Sequence, residues 1–272
     1  MTYSDMALEQ PVRTVPRRRR RRRKKNYTPM ILFPLAIFLA GFLAGWLVRG
    51  IFIPEPAVPV QTDPPVETAE TQLQPPLPLD DWRMVLVNPW NPVPDNFVPS
   101  LTILANGMEV DRRCYQDLQE MLAACEGAGL EPSICSGYRT LEYQQGLFDD
   151  KIRRLQEEGM SPEQARSEAA TVVAVPGTSE HHLGLALDIV DAGYPFLTEE
   201  QEETPVQKWL IENSWKYGFI LRYPSGKSDI TGIIYEPWHY RYVGVEHAKA
   251  MGELGMCMEE YIDYLKSGGV KK

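Results

Sequence analysis

The distribution of apolar and polar residues predicts one folded unit of helices and strands in the last two thirds of the chain. Apolar side chains recur at helical spacing within residues 111–128. Further helices are predicted from Leu141, after Ser161, over 205–217 and from Glu246. Segments rich in aromatic and β-branched residues predict strands at 131–136, 184–190, 219–223, 232–235 and 239–243. Because helices and strands do not alternate regularly, the expected fold class is α+β, with a small mixed, largely antiparallel sheet.

The N-terminal part of the chain has a different pattern. Residues 26–48 contain no charged side chain, and about 20 such apolar residues span a bilayer as a helix. A basic run, Arg17 to Lys25, precedes them, and basic residues beside a span stay in the cytoplasm. We therefore expect a cytoplasmic tail over 1–25 and a single transmembrane anchor over 26–53. The part of the chain that follows residue 53 is then extracellular, at the cell membrane.

A cleaved signal peptide is the competing interpretation of this apolar segment. The segment is longer than the usual apolar core of a signal peptide, and its Ala-Gly pairs form a poor cleavage site, so a retained anchor is favoured. No cysteine lies near the span, which excludes a lipoprotein anchor. The basic tail, the single span and the missing lipoprotein cysteine are more typical of a Gram-positive bacterium than of one with an outer membrane.

Residues 54–80 are rich in Pro, Thr, Gln and Glu, and they contain too few large apolar groups to fold. They predict an extended stalk that precedes a folded domain over 81–268. Four cysteines, Cys114, Cys125, Cys135 and Cys257, lie in that domain. Their spacing lacks the close pairs of a cysteine zinc site, and it leaves disulfides and free thiols equally open.

Charge is divided unevenly along the chain. Residues 1–49 hold 11 of the 28 Lys and Arg but only two of the 37 Asp and Glu, which leaves 17 basic and 35 acidic side chains for residues 50–272. A folded domain this acidic argues against nucleic acid as its partner.

The chemistry is concentrated in two short segments that contain three of the four histidines. His181 and Asp188 come from the first segment and His239 from the second. Two imidazoles and a carboxylate, with a fourth position open, form the usual ligand set of a catalytic Zn²⁺ site. His182 is a possible substitute for His181, whereas His247 is expected to be a surface or packing residue.

A second carboxylate, Glu236, lies three residues before His239, where Pro237 interrupts the strand pattern. If the other three residues bind zinc, Glu236 is free to act as general base toward a metal-activated water. Arg139, in a predicted strand-to-helix turn, is permanently positively charged. It is therefore suited to stabilise the negative charge that develops on a substrate carbonyl oxygen when the water attacks. Gln144, one helical turn further, and Trp238 are candidates for the wall of the same cleft.

Four sequence blocks resemble the VanY-type zinc D-alanyl-D-alanine carboxypeptidases, which belong with the lysostaphin and hedgehog-like zinc peptidases. They are SGYRT at 136–140, SEHHLGLALD at 179–188, WKYGFILRYP at 215–224 and YEPWHYRYVG at 235–244. The second block matches the S-x-H-x-x-G-x-A-x-D signature of the group at every fixed position. The blocks occur in the family's order, and the resemblance covers roughly residues 81–265.

The resemblance implies that His181, Asp188 and His239 hold zinc, that Glu236 is the catalytic base, and that Arg139 is the cation near the scissile carbonyl. Ser179 and Gln144 match positions that contact the C-terminal end of the substrate. It also implies a sheet with helices on one side and the zinc in an open cleft. The implied substrate is a peptidoglycan stem peptide or precursor ending in D-Ala, from which a D,D-carboxypeptidase removes the terminal D-alanine.

Three alternatives remain open at this stage. An L,D-carboxypeptidase would shorten tetrapeptide stems with the same zinc chemistry, and an endopeptidase would cut cross-linked stems. A catalytically silent wall-binding module belongs to a different functional class. The presence of both Glu236 and Arg139 argues against the silent module, because a binder does not need them.

Overall fold

The computed structural model describes residues 78 and 81–269. Its main sheet has four strands in the order β3-β4-β6-β5, and all neighbouring strands are antiparallel. A separate two-stranded hairpin, β1-β2, lies N-terminal to them in the chain. The strands are β1 Leu101–Ile103, β2 Glu109–Asp111, β3 Pro132–Ser136, β4 Ala186–Asp191, β5 Phe219–Leu221 and β6 His239–Tyr242.

Seven α-helices surround these strands in the described part of the chain, and most of their ends follow from local sequence. Ser161 caps one helix through a reciprocal capping box with Gln164, and proline occupies its first turn. Gly218 ends the segment 205–217 in a left-handed conformation. The helices are α1 Tyr115–Gly127, α2 Leu141–Glu157, α3 Pro162–Val172, α4 Pro205–Asn213, α5 Ser228–Thr231, α6 Val245–Leu254 and α7 Met258–Lys266.

Strand β4 is buried on both faces, and its alternation separates the core from the site. Leu187 and Ile189 face the main apolar core, which they share with Leu118 of α1 and Leu210 of α4. Asp188 lies between them in the sequence and therefore faces the opposite side of the sheet. The predicted antiparallel α+β fold is thus confirmed, and the polar face of β4 is available for chemistry.

Two details of the predicted fold are wrong. Residues 232–235 do not form a strand, because the amide of Ile234 donates to the carbonyl of Thr171 at the end of α3 instead of to a sheet neighbour (2.9 Å). The helices are not confined to one side of the sheet. Ile220 of the edge strand β5 faces away from the main core, and it packs in a second core with Met251 of α6 and Met258 of α7.

The predicted tail, membrane anchor and stalk over 1–80 lie almost entirely outside the described residues, so they stay predictions. None of the helices within 81–269 has the length and apolar character needed to cross a membrane. The question of disulfides is decided: all four cysteines are free thiols, of which Cys114, Cys125 and Cys257 are buried and Cys135 is exposed.

Candidate metal centre and catalytic cleft

Sheet register places two of the predicted metal ligands side by side. Asp188 of β4 lies directly opposite His239 of β6 and, on its other flank, opposite Ser136 of β3. Directly opposed residues of antiparallel strands project to the same face with Cβ atoms about 5 Å apart. The Nδ1 atom of His239 accordingly lies 3.1 Å from Oδ1 of Asp188.

His181 reaches the same point from a 3₁₀ turn, Glu180–Leu183, that ends at Gly184 with φ of 68°. Its Nδ1 contacts the carbonyl oxygen of Gly137 at 2.7 Å, and its Nε2 lies 3.4 Å from Oδ2 of Asp188. Gly137 is required there, because a Cβ atom at this position would collide with the backbone oxygen of Glu109 in β2. The hairpin thus supports the glycine whose carbonyl orients His181.

Glu236 and His239 are brought together by a turn, as the interruption at Pro237 predicts. The amide of His239 donates to the carbonyl of Glu236 at 3.2 Å, which closes the turn just before β6. Oε2 of Glu236 lies 3.7 Å from Nδ1 of His239. The carboxylate is buried beside the presumed ligands without replacing one of them.

The three predicted ligands fit a zinc ion. One nitrogen or oxygen atom from each of His181, Asp188 and His239 lies within 4.8 Å of the others, and all three residues are buried. Tetrahedral Zn²⁺ with bonds of about 2.0–2.1 Å separates its ligand atoms by about 3.3 Å. The distances from Oδ1 of Asp188 to His239, 3.1 Å, and from its Oδ2 to His181, 3.4 Å, are close to that spacing. Oδ1 of Asp188 has no hydrogen-bond partner among the described residues, as expected of an atom that binds a cation.

Burial and charge set the pKa values of these groups in different directions. Burial and the nearby charge of Arg139 lower the pKa of His181 to about 4, so this imidazole is neutral at pH 7. Burial also acts to lower the pKa of His239, but the carboxylates of Asp188 and Glu180 outweigh it and raise the pKa to about 9. Burial raises the pKa of Glu236 to about 8, and the charge of Asp188 adds to this effect. Cationic zinc is therefore the natural counter-charge for the cluster.

Arg139 lies in the same cleft and connects three of its polar groups. Its guanidinium donates to Oγ of Ser136 at 2.8 Å, to Oε1 of Gln144 at 3.3 Å and to Oδ2 of Asp188 at 2.5 Å. Gln144 is fully buried, and its amide also donates to the carbonyl of Ala174. The structure therefore makes Gln144 a partner of Arg139 at the cleft wall.

The other predicted substrate-binding residues also line the cleft, which has a volume of about 480 Å³. Ser179 and Trp238 are both buried residues of its wall. His182 lies outside the ligand cluster: its Nδ1 contacts the carbonyl of Arg139 at 2.8 Å, so it holds the loop that carries the arginine. His247 is a packing residue, buried against Tyr261.

Sequence reasoning missed one group beside the centre. Glu180 is completely buried, and its Oε1 accepts hydrogen bonds from Arg222 and Arg241, each at 2.7 Å. Although burial alone would raise it, the two guanidinium charges hold the pKa of Glu180 well below its ordinary value. Arg241 lies two residues after His239, on the same strand face, and an arginine at a buried strand position was the available signal for a buried carboxylate.

Comparison with known proteins agrees with this geometry. Residues 107–245 match the family model VanY, D-alanyl-D-alanine carboxypeptidase. A D-alanyl-D-alanine carboxypeptidase of Enterococcus faecalis is 45% identical over 183 residues, which are 67% of this chain and 66% of that relative. The chain belongs to the VanY family of D-alanyl-D-alanine carboxypeptidases.

Two solved structures add to the comparison of this VanY-family chain. The vancomycin-resistance D,D-pentapeptidase VanY, crystallised as a mutant with Zn(II), is 45% identical, with a TM-score of 0.62 over 67% of this chain and 99% of that one. The LD-carboxypeptidase LdcB is 35% identical, with a TM-score of 0.57 over 65% of this chain and 84% of that one. The predicted family and its zinc cofactor are confirmed, and the chain is a zinc metallopeptidase of this type.

Proposed function

We propose that this chain is a membrane-anchored zinc D,D-carboxypeptidase that removes the terminal D-alanine from peptidoglycan stem peptides. One observation carries the proposal: a complete zinc ligand set, a separate buried carboxylate and an arginine converge in one open cleft. The triad of His181, Asp188 and His239 would hold the metal, while Glu236 and Arg139 lie beside it. A silent binding module would have no need of the last two.

The bound metal, Glu236 and Arg139 would each have a distinct task in peptide hydrolysis. When bound, zinc polarises the scissile carbonyl and lowers the pKa of a water molecule, and its positive charge favours the ionised form of buried Glu236. Glu236 takes the proton from the attacking water and delivers it to the leaving D-alanine amine. Arg139 donates hydrogen bonds to the carbonyl oxygen as negative charge develops there.

The same arginine is held for this task by its neighbours. Ser136 and Gln144 accept from two different nitrogens of Arg139, which restricts the rotation of the guanidinium. Ser179 and Trp238 line the wall next to the ligands and would contact the terminal D-alanine. A preorganised donor of this kind lowers the barrier without reorganising during the reaction.

The cleft is long enough to bind more of a stem peptide than its last two residues. Its wall follows α2 from Gln144 to Arg154, and ten residues of helix extend about 15 Å. Charged side chains of both signs, including Lys151 and Glu199, line the cleft. They suit a stem peptide, which carries free carboxylate and amine groups before its D-Ala terminus. The predicted anchor over 26–53 and stalk over 54–80 would hold the cleft outside the cell, where such peptides occur.

An L,D-carboxypeptidase is the second candidate function. The similarity to LdcB supports it, because that protein is described as an LD-carboxypeptidase and is 35% identical. D,D-cleavage is favoured by the higher identity to the D-alanyl-D-alanine carboxypeptidase and to the D,D-pentapeptidase, each 45%.

The test uses the full chain, purified in detergent and loaded with zinc. It is incubated separately with a pentapeptide stem ending in D-Ala-D-Ala, with a tetrapeptide stem and with a cross-linked dimer, and products are weighed by mass spectrometry. Loss of one alanine from the pentapeptide alone is the expected result. Loss from the tetrapeptide would move the function to L,D-cleavage, and cleavage of the dimer to an endopeptidase. A folded, zinc-loaded chain without any product would overturn the proposal in favour of a silent wall-binding module.

A further inference from the structure

Glu180 belongs to a group of charged side chains that no role in the reaction yet explains. Arg222 and Arg241 are both completely buried, and each donates to the same oxygen, Oε1 of Glu180. Arg222 also forms a two-pronged contact with Glu259, at 2.9 and 2.6 Å. Nη2 of Arg241 donates to the backbone oxygens of Arg83 and Val85. Both guanidiniums are therefore held in place, and they hold Oε1 of Glu180 on their side.

The second oxygen of Glu180 points toward the metal centre. Oε2 lies 3.7 Å from Nε2 of His239, slightly beyond hydrogen-bond length. Both atoms are buried, and neither has a hydrogen-bond partner among the described residues. Two unpartnered polar atoms that face each other in the interior are costly to leave apart, so a small rotation of the imidazole would close the gap.

The two ligand histidines face the cluster with different nitrogens. His181 uses Nδ1 to contact the carbonyl of Gly137, which leaves its Nε2 toward Asp188. His239 is turned the other way, with Nδ1 toward Asp188 and Nε2 toward Glu180. An imidazole that binds a metal through one nitrogen carries a proton on the other, and an acceptor there decides which tautomer forms.

We propose that Glu180 is a positioning residue that accepts a hydrogen bond from Nε2–H of His239 and so presents Nδ1 to the zinc. Arg222 and Arg241 complete the arrangement, because their hydrogen bonds to Oε1 prevent the carboxylate of Glu180 from turning away from His239. The inference rests on the zinc site and is independent of which stem peptide is cleaved.

Glu180→Gln is the matched substitution, since it preserves size and the oxygen that the arginines contact. The amide nitrogen then faces Nε2 of His239 as a donor and favours the tautomer with the proton on Nδ1. We expect zinc affinity, measured on the full chain in detergent by competition with a chelating dye, to fall by about 10–100-fold. The absorption spectrum of the Co(II)-substituted protein should change as well, because the ligand field at the metal changes.

Glu259→Gln is the control, because Glu259 contacts the same Arg222 but has no contact with His239. It disturbs the buried ion network alone and should leave zinc affinity and the Co(II) spectrum near those of the unaltered chain. Equal losses in both variants would reduce Glu180 to a structural residue and overturn the inference. Unchanged affinity and spectrum in Glu180→Gln would overturn it too.

A measurement on the unaltered chain covers the case in which Glu180→Gln does not fold. The chain has only four histidines, so ¹⁵N-labelled imidazoles are resolvable by NMR in the zinc-loaded protein. We expect the metal on Nδ1 of His239 and a slowly exchanging proton on its Nε2. Zinc on Nε2 of His239 would contradict the inference, while failure of the unaltered chain to bind zinc would instead contradict the metal centre itself.

Discussion

Two groups of buried charged residues lie on the same side of the sheet, and they differ in how their charges are satisfied. In the ion network of Glu180, Arg222, Arg241 and Glu259, opposite charges contact one another directly, with nitrogen–oxygen distances of 2.6–2.9 Å. In the metal cluster of His181, Asp188, Glu236 and His239, acidic groups and imidazoles surround one point instead, at the wall of the cleft.

This difference separates buried charges that stabilise the fold from buried charges that bind a metal and take part in chemistry. A buried ion pair compensates its own desolvation, so removing one partner mainly affects folding. In the metal cluster, two imidazoles and a carboxylate converge on one point without a cationic side chain between them, so the cluster takes up an external cation and its alteration mainly affects binding and chemistry. The predictions that follow test this division, and Glu180 is the one residue that contacts both groups.

His239→Ala should have the largest effect. Loss of one of three ligands should lower zinc stoichiometry well below one per chain and abolish measurable release of D-alanine. Metal analysis and a D-alanine assay check both. His247→Ala is the control, because His247 is also a buried histidine but lies outside the cleft. A fully zinc-loaded His239→Ala protein would show that the ligand set is wrong.

Glu236→Gln should separate catalysis from metal binding. We expect kcat to fall by about 10²–10⁴-fold, because the amide cannot accept the proton, while zinc stoichiometry stays at that of the unaltered chain. Steady-state kinetics and metal analysis on the same preparation measure both quantities. Near-normal turnover would remove Glu236 from the role of base, and loss of zinc would make it a ligand instead.

Arg222→Ala should disrupt the ion network and lower the stability of the fold. It leaves Glu180 and Glu259 without their shared cation, and uncompensated buried charge typically lowers the free energy of unfolding by about 3–5 kcal/mol. Urea unfolding of the metal-free protein, followed by circular dichroism, provides the measurement. Lys227→Ala, which removes a more exposed ion pair with Glu260, should leave the unfolding midpoint nearly unchanged. Equal stability of the two variants would contradict the division.

Acid should weaken the stabilising contribution of Asp111, a buried carboxylate outside both groups, and this effect should be the smallest. Burial acts to raise its pKa, but hydrogen bonds from Arg113 and from the amide of Ser100 hold the pKa below its ordinary value. Its stabilising contribution is therefore present above about pH 4, the pKa of an unfolded Asp, and disappears as the pH falls further. Asp111→Asn should be less stable than the unaltered chain at pH 7, and the difference should shrink toward pH 2 in urea titrations. A difference in the free energy of unfolding that stays constant with pH would contradict the lowered pKa of Asp111. Asp95→Asn, at an exposed position, is the control.

Several elements could be predicted because their causes are local. The capping box at Ser161 starts a helix whatever surrounds it, and Gly218 ends one because glycine tolerates positive φ. The alternation in β4 was predictable for a similar reason, since a strand turns successive side chains to opposite faces. Within the site, the residue types and spacing of His181, Asp188 and His239 already indicated zinc.

Other features could not be predicted because they depend on residues far apart in the chain. Residues 232–235 have strand-like composition, yet the end of α3 captures the amide of Ile234. The hairpin of β1 and β2 went unpredicted, although β2 closely approaches the glycine that orients His181. Short segments carry too little periodicity to reveal such contacts.

The amino-acid sequence by itself indicated the chemistry of this protein: which side chains are candidates to bind the metal, which carboxylate is a candidate for the base, and which family the chain resembles. Only the tertiary structure decided where the buried charges of Glu180, Arg222 and Arg241 are compensated and which nitrogen of His239 faces the ligands. The physical reason is distance. Ligand identity depends on the residues themselves, whereas the 42 and 61 positions that separate Glu180 from its two arginines are bridged only when the sheet forms.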